Sequence, residues 1–154
     1  MLVAPANSQL KEVLISPELD FVQMLGKDGS LAVGDPNYTP IGIYAMAALY
    51  KLGQWKMVAP RLLRGSSAGA ALELVENGQA ALGITFSTSA AVSKKVKVLG
   101  RFPPHGSEGF VYAFAIVKDY DDPETRRLFQ YLIGPEALQI YAAHGFTVQH
   151  KAGR

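Results

Sequence analysis

The 154-residue sequence contains no cysteine, which removes disulfides, thiolate nucleophiles and cysteine-ligated metals together. Charge of one sign is also scarce: 15 Lys and Arg stand against 13 Asp and Glu, a formal balance of +2. A nucleic-acid binder needs a dense basic face. The only tight basic group is Lys94, Lys95 and Lys97 around Val96, and it reads as the solvated edge of a strand start, so no nucleic-acid partner is expected. No apolar run reaches the about 20 residues that cross a bilayer. The opening Met1-Leu2-Val3-Ala4-Pro5 lacks the basic start and cleavage site of a secretory signal. The expectation is therefore either a cytosolic protein or a mature or truncated form.

Catalytic signatures are missing too. Arg64-Gly65-Ser66-Ser67-Ala68-Gly69 lacks the spacing of a phosphate loop, and there is no G-x-S-x-G nucleophile elbow. The three histidines do not have metal-ligand spacing. His105 reads as a loop residue, His144 as a complement to a helix C-terminus, and His150 as part of a tail. Asp20 with Glu18 reads as a solvated first turn. Neither enzyme nor cofactor is expected.

What the sequence does contain is 49% hydrophobic residues, enough for a core at this length. Apolar runs alternate with helical patterns. Strands are predicted at 2–5, 30–34, 81–86, 96–102 and 110–117. Ser16-Pro17-Glu18 predicts a capped helix start, with Leu19, Val22 and Leu25 on one face and Gly26 at its end. Thr39-Pro40 predicts a second, running to about Leu52 with Ile43, Ala47 and Tyr50 on one stripe. Ser66 or Ser67 caps a third, ended by Asn77-Gly78, and 89–94 forms a short one. Asp122-Pro123 and Gly134-Pro135 open the last two, with Leu128, Leu132, Leu138 and Tyr141 as core. This alternation predicts an α/β sheet with helices on both faces.

In open α/β sheets ligands bind beyond the carboxyl ends of the strands. A helix N-terminus there offers unpaired N–H groups and a positive dipole end, which suits an anion. The helix starts near Thr39 and Ser66 fit that description, with Gly42, Gly65 and Gly69 keeping side chains out of a ligand's way. Helix starts that bind nothing are the alternative reading.

The residues Leu31-Ala32-Val33-Gly34-Asp35-Pro36 and Pro40-Ile41-Gly42-Ile43-Tyr44-Ala45 resemble the signature of the molybdate-binding receptors of ABC transporters. The likeness continues collinearly through Ala48-Leu49, Leu52-Gly53, Trp55, Ala70-Ala71-Leu72, Leu74-Val75-Glu76, Leu82-Gly83-Ile84, Val96-Lys97-Val98 and Gly145-Phe146. Leu2-Val3-Ala4-Pro5 looks like the family's crossover strand between lobes. The resemblance implies a type II periplasmic-binding-protein-like α/β fold, whose two lobes close on the anion. It also implies molybdate or tungstate as ligand, delivery to an ABC-transporter permease, and a periplasmic home for the parent protein. Molybdenum enters only as the oxyanion, with no protein ligand on the metal.

The resemblance places anion contacts at the backbone N–H of Ile41, the backbone N–H of Ala68, and Phe86. At this last position the family usually carries a Tyr whose hydroxyl donates. Phe86 cannot donate, so Thr85, Ser87 and Thr88 become candidate substitute donors. The family's opening segment is absent. Residues 1–104 are then the second, complete lobe with the crossover strand, and 105–154 the return strand and C-terminal helices of an incomplete first lobe. The apolar faces of those helices predict self-association as a dimer. A truncated, non-binding remnant that self-associates is the alternative. A regulator's sensor module would need a flanking DNA-binding domain, which is not visible.

Overall fold

The computed structural model describes residues 1–103 and 111–147; the expectations for His105 and His150 lie outside them. The chain forms two compact units, Met1–Ser107 and Glu108–Arg154.

The first unit is built on five strands: β1 (Leu2–Pro5), β2 (Leu31–Gly34), β3 (Leu62–Gly65), β4 (Leu82–Ile84) and β5 (Val96–Gly100). Their order in the sheet is β3-β2-β4-β1-β5. The strands β3, β2 and β4 run parallel, with Gly34 beside Gly65 and Ala32 beside Gly83. Strand β1 runs antiparallel to both β4 and β5, so the sheet is mixed.

The central strands are apolar on both faces because helices cover both. Leu2, Ala4, Leu31, Val33, Leu82 and Ile84 point into one cluster, which also takes Phe21, Leu49 and Val58. Val3 and Ala32 point the other way, onto Leu72 and Val75. Seven helices complete the described chain: α1 (Phe21–Leu25), α2 (Pro40–Lys51), α3 (Trp55–Val58), α4 (Ala68–Glu76), α5 (Ser87–Val92), α6 (Pro123–Leu132) and α7 (Pro135–Ala143). No described helix is long and apolar enough to cross a membrane.

Several local expectations need correction. The first helix starts at Phe21, not at Pro17. Ser16 closes a turn, with the Leu19 N–H donating to its carbonyl at 3.1 Å, and the helix is capped by Asp20, whose carboxylate accepts the Gln23 N–H at 2.9 Å. Asp20 is therefore a cap and not merely a solvated acid. On α2 the buried residues are Ile41, Ala45 and Leu49, whereas Ile43 and Tyr50 of the expected stripe are exposed. Strand β3, helix α3 and a 3-10 turn over Ala59–Arg61 were not foreseen. Lys97 is more than a solvated edge residue, since its ammonium donates to the Ser8 carbonyl.

In the second unit, α6 begins where expected. The Asp122 carboxylate accepts the N–H groups of Glu124 and Thr125, both at 2.9 Å. Helix α7 follows Gly134, with His144 at its C-cap. Residues 111–117 form no strand, although their sequence predicts one. Leu128 is 58% exposed and is not core; among this unit's described residues Ala137 alone is fully buried. Tyr141 ties the two helices through its hydroxyl, which donates to the Leu132 carbonyl at 3.1 Å, and stacks on Phe114 with ring centroids 6.0 Å apart.

Candidate functional site

The three parallel strands deliver the chain to one edge of the sheet, and each turns there into a helix: β2 into α2, β3 into α4, and β4 into α5.

The β2-to-α2 connection is held by Asp35 and Thr39. The Asp35 N–H donates to the Gly65 carbonyl at 2.8 Å, locking the ends of β2 and β3 together. The Asp35 carbonyl accepts from the Thr39 N–H at 2.9 Å and from its hydroxyl at 2.8 Å. The same Thr39 hydroxyl accepts the Gly42 N–H at 3.1 Å and so caps α2. Pro40 has no N–H to offer. The first backbone donor of the helix is therefore Ile41, and it has no acceptor among the described residues.

The β3-to-α4 connection repeats the arrangement with Ser67, whose hydroxyl accepts the Ala70 N–H at 3.1 Å. The N–H groups of Ala68 and Gly69 are left without acceptors among the described residues. Gly34 and Gly65 sit opposite each other in the ladder, so these two free starts follow adjacent strands. Helix dipoles add to their positive potential.

Phe86 follows β4, on the other side of β2, and stands at the N-cap of α5 without a side-chain capping bond. Of the candidate substitute donors, Ser87 is exposed and Thr88 half-buried. Thr85 is buried to 2% exposure, and its hydroxyl has no hydrogen-bond partner among the described residues.

The glycines divide differently from the expectation. A Cβ on Gly42 would strike the backbone of Gly34 and Asp35, and one on Gly65 would strike the backbone of Ala71. Both residues permit close packing of helix on strand and do not clear space for a ligand. Only Gly69 opens outward: a Cβ there would meet nothing nearer than the Ser67 hydroxyl at 3.7 Å.

Sequence reasoning gave no role to Asp35 and Arg64. Their charged groups come within 4.0 Å of each other beside the start of α2. Arg64 thereby offsets the Asp35 carboxylate. The second unit has a cavity of about 390 Å³ lined by Ile116, Asp121, Arg126, Phe129 and Gln130. Its charges are already satisfied, with Arg126 and Asp121 paired at 2.6 Å, and this contact raises the Arg126 pKa.

The profile of the bacterial extracellular solute-binding proteins matches residues 2–147 of the chain. The chain is 38% identical to "Molybdate-binding protein ModA" of Escherichia coli (strain K12), over 97% of its own length and 58% of that protein's. It is 39% identical to the ModA of Haemophilus influenzae, with the same coverage. It is also 31% identical to "Putative ABC transporter substrate-binding lipoprotein YvgL" of Bacillus subtilis (strain 168), over 97% of this chain and 55% of that one. Among solved structures, the periplasmic molybdate-binding protein of Azotobacter vinelandii superposes with a TM-score of 0.58 at 20% identity, covering 97% of this chain and 64% of that one. This last likeness shows the fold, a mixed α/β lobe of the periplasmic-binding-protein kind with part of a second. The chain spans less than two thirds of each of these proteins.

Proposed function

The chain belongs to the bacterial extracellular solute-binding protein family, and from that premise we propose that it carries one side of a receptor site for a tetrahedral oxyanion, molybdate or tungstate. The observation that carries this reading is the pair of free helix starts. Ile41 on α2 and Ala68 on α4 hold unsatisfied N–H groups at one sheet edge, after adjacent parallel strands. Neutral donors of this kind suit a dianion whose charge is spread over four oxygens. Phe86 lines the third position at that edge, and a hydroxyl among Thr85, Ser87 and Thr88 replaces the donor that Phe86 lacks. Relatives named molybdate-binding proteins support the ligand assignment.

Selectivity on this reading comes from the size of the donor cage, because molybdate and sulfate share charge and shape but differ in bond length. The reading extends to periplasmic capture and delivery to an ABC-transporter permease, as the relatives' descriptions suggest. Residues 1–104 supply the anion-binding lobe, and 105–154 belong to the other. Leu128, Ile133 and Ile140 on α6, its C-cap and α7 are exposed. Such apolar faces favour a dimer of this chain, which light scattering at micromolar concentration measures.

Thermal melts with molybdate, tungstate, sulfate and phosphate test the assignment. A ligand that binds only the folded state stabilises it by about 2.7 kcal/mol at a hundred times Kd. Molybdate and tungstate should raise the midpoint while sulfate leaves it in place. If no anion moves it, the chain is a folded remnant without binding function.

A further inference from the structure

We propose that the Thr85 hydroxyl is the donor that replaces the missing hydroxyl at position 86, and that, shielded from solvent in this structure, it turns to an oxygen of the oxyanion when the anion seats. The inference rests on reading this sheet edge as an oxyanion site.

Thr85 is 98% buried, being 2% exposed, and its Oγ1 has no partner among the described residues. An unpaired buried hydroxyl costs folding free energy, and valine would fill the same volume without that cost. A hydroxyl kept in such a place calls for an acceptor that the folded chain does not itself provide. Ser87 is exposed and Thr88 half-buried, and neither hydroxyl is among the buried unpaired ones. The other orphaned side-chain atom among the described residues, Gln54 Oε1, is an acceptor and has nothing to offer an anion.

The position of Thr85 fits the role. Its backbone extends the β1–β4 ladder, with its N–H donating to the Met1 carbonyl at 3.1 Å. Side chains alternate along β4. Leu82 and Ile84 enter the cluster that holds Leu49 and Val58, while Gly83 faces Val75 of α4. Thr85 therefore falls on the α4 face, at the edge where α4 begins. There the nine-residue α4 and the twelve-residue α2 present the free N–H groups of Ala68 and Ile41. An orphaned donor and two unpaired helix starts at one edge all lack the same thing, an acceptor. A fully deprotonated oxyanion supplies acceptors to all of them, whereas a protonated phosphate must also find an acceptor for its own proton.

Calorimetric titration of the 154-residue chain with sodium molybdate, for the native sequence, Thr85→Val and Thr85→Ser, tests the proposal alongside anion-free melts. Thr85→Val should weaken molybdate binding about tenfold to a hundredfold, the span of one hydrogen bond to a charged group. It should also melt, without anion, at or above the native midpoint, because the unpaired hydroxyl is gone. Thr85→Ser should restore most of the affinity. Native-like affinity in Thr85→Val overturns the role of Thr85 and leaves the oxyanion site standing. A large fall in its anion-free midpoint also overturns the role, since the hydroxyl would then be a structural one. If the native chain binds neither molybdate nor tungstate, the oxyanion reading fails and this inference fails with it.

Discussion

Gly42, in the first turn of α2, lies directly against the carbonyl of Gly34 at the end of β2, with no room for a Cβ between them. This contact sets how far α2 stands from the sheet, and hence where the Ile41 N–H is held. Gly42→Ala should destabilise the chain by about 1–3 kcal/mol through overpacking against backbone. Gly69→Ala, at the second residue of α4 with open space around it, should leave stability unchanged or raise it by about 0.5–1 kcal/mol through helix propensity. Urea denaturation of both variants makes the comparison; equal losses would mean that Gly42 is not a packing requirement.

Thr39 both donates to the Asp35 carbonyl and accepts from the Gly42 N–H, and it is buried while doing so. Thr39→Ala should cost about 0.5–2 kcal/mol, the usual range for a lost N-cap. Thr39→Ser keeps the oxygen and should recover most of that in the same denaturation experiment. If Ser and Ala behave alike, the cap contributes nothing and only the methyl group matters.

The parts of this fold that can be read from sequence are those whose cause lies within a few residues. Thr39 before Pro40, Ser67 before Ala68 and Asp122 before Pro123 cap helices that begin where their chemistry says. Strand β3 is different. Leu62-Leu63-Arg64-Gly65 has little apolar pattern, and it becomes a strand through pairing with β2, some thirty residues earlier. The reverse holds for 111–117, whose continuous apolar run asks for a strand but which finds no ladder partner among the described residues. Helical spacing shows that α2 has apolar stripes, yet only the sheet decides that Ile41, Ala45 and Leu49 are buried rather than Ile43 and Tyr50. At the site, the two helix starts were legible because glycine, proline and a capping hydroxyl mark them. The Arg64–Asp35 pairing was not, because it joins residues some thirty positions apart that the β2–β3 ladder brings together.

The Asp122 carboxyl is held below its ordinary value of 3.8, first by the Thr125 N–H and then by the Thr125 hydroxyl. A depressed folded-state pKa means that the cap's stabilisation is fully present above the unfolded value. It is then lost as pH falls through the lowered one. Acid titration followed by NMR should show Asp122 protonating below 3.8, with fraying of the first turn of α6 over the same range. Asp122→Ala should remove that transition, and Asp122→Asn should keep part of the cap while abolishing its pH dependence. A fraying midpoint that stays put in Asp122→Asn would assign the transition to another group.

Phe86 brings an aromatic ring to the end of β4, at the N-cap of α5. If the anion sits among Ile41, Ala68 and this position, Phe86→Tyr adds one hydrogen bond to a charged ligand. Affinity for molybdate should then rise by about tenfold or more. The gain should not depend on stability, because Phe86 provides no side-chain cap to α5 and the added hydroxyl sits on a partly exposed ring. Calorimetry separates the two effects: the anion-free melt stays near the native midpoint while Kd falls. Unchanged affinity would place the anion away from residue 86 and leave the free N–H groups of Ile41 and Ala68 to hold it with whichever hydroxyl lies nearest. Combining Phe86→Tyr with Thr85→Val then distinguishes redundancy from independence. Additive changes in binding free energy mean that each hydroxyl reaches its own oxygen, and a double variant that binds like Phe86→Tyr alone means that the two compete for one.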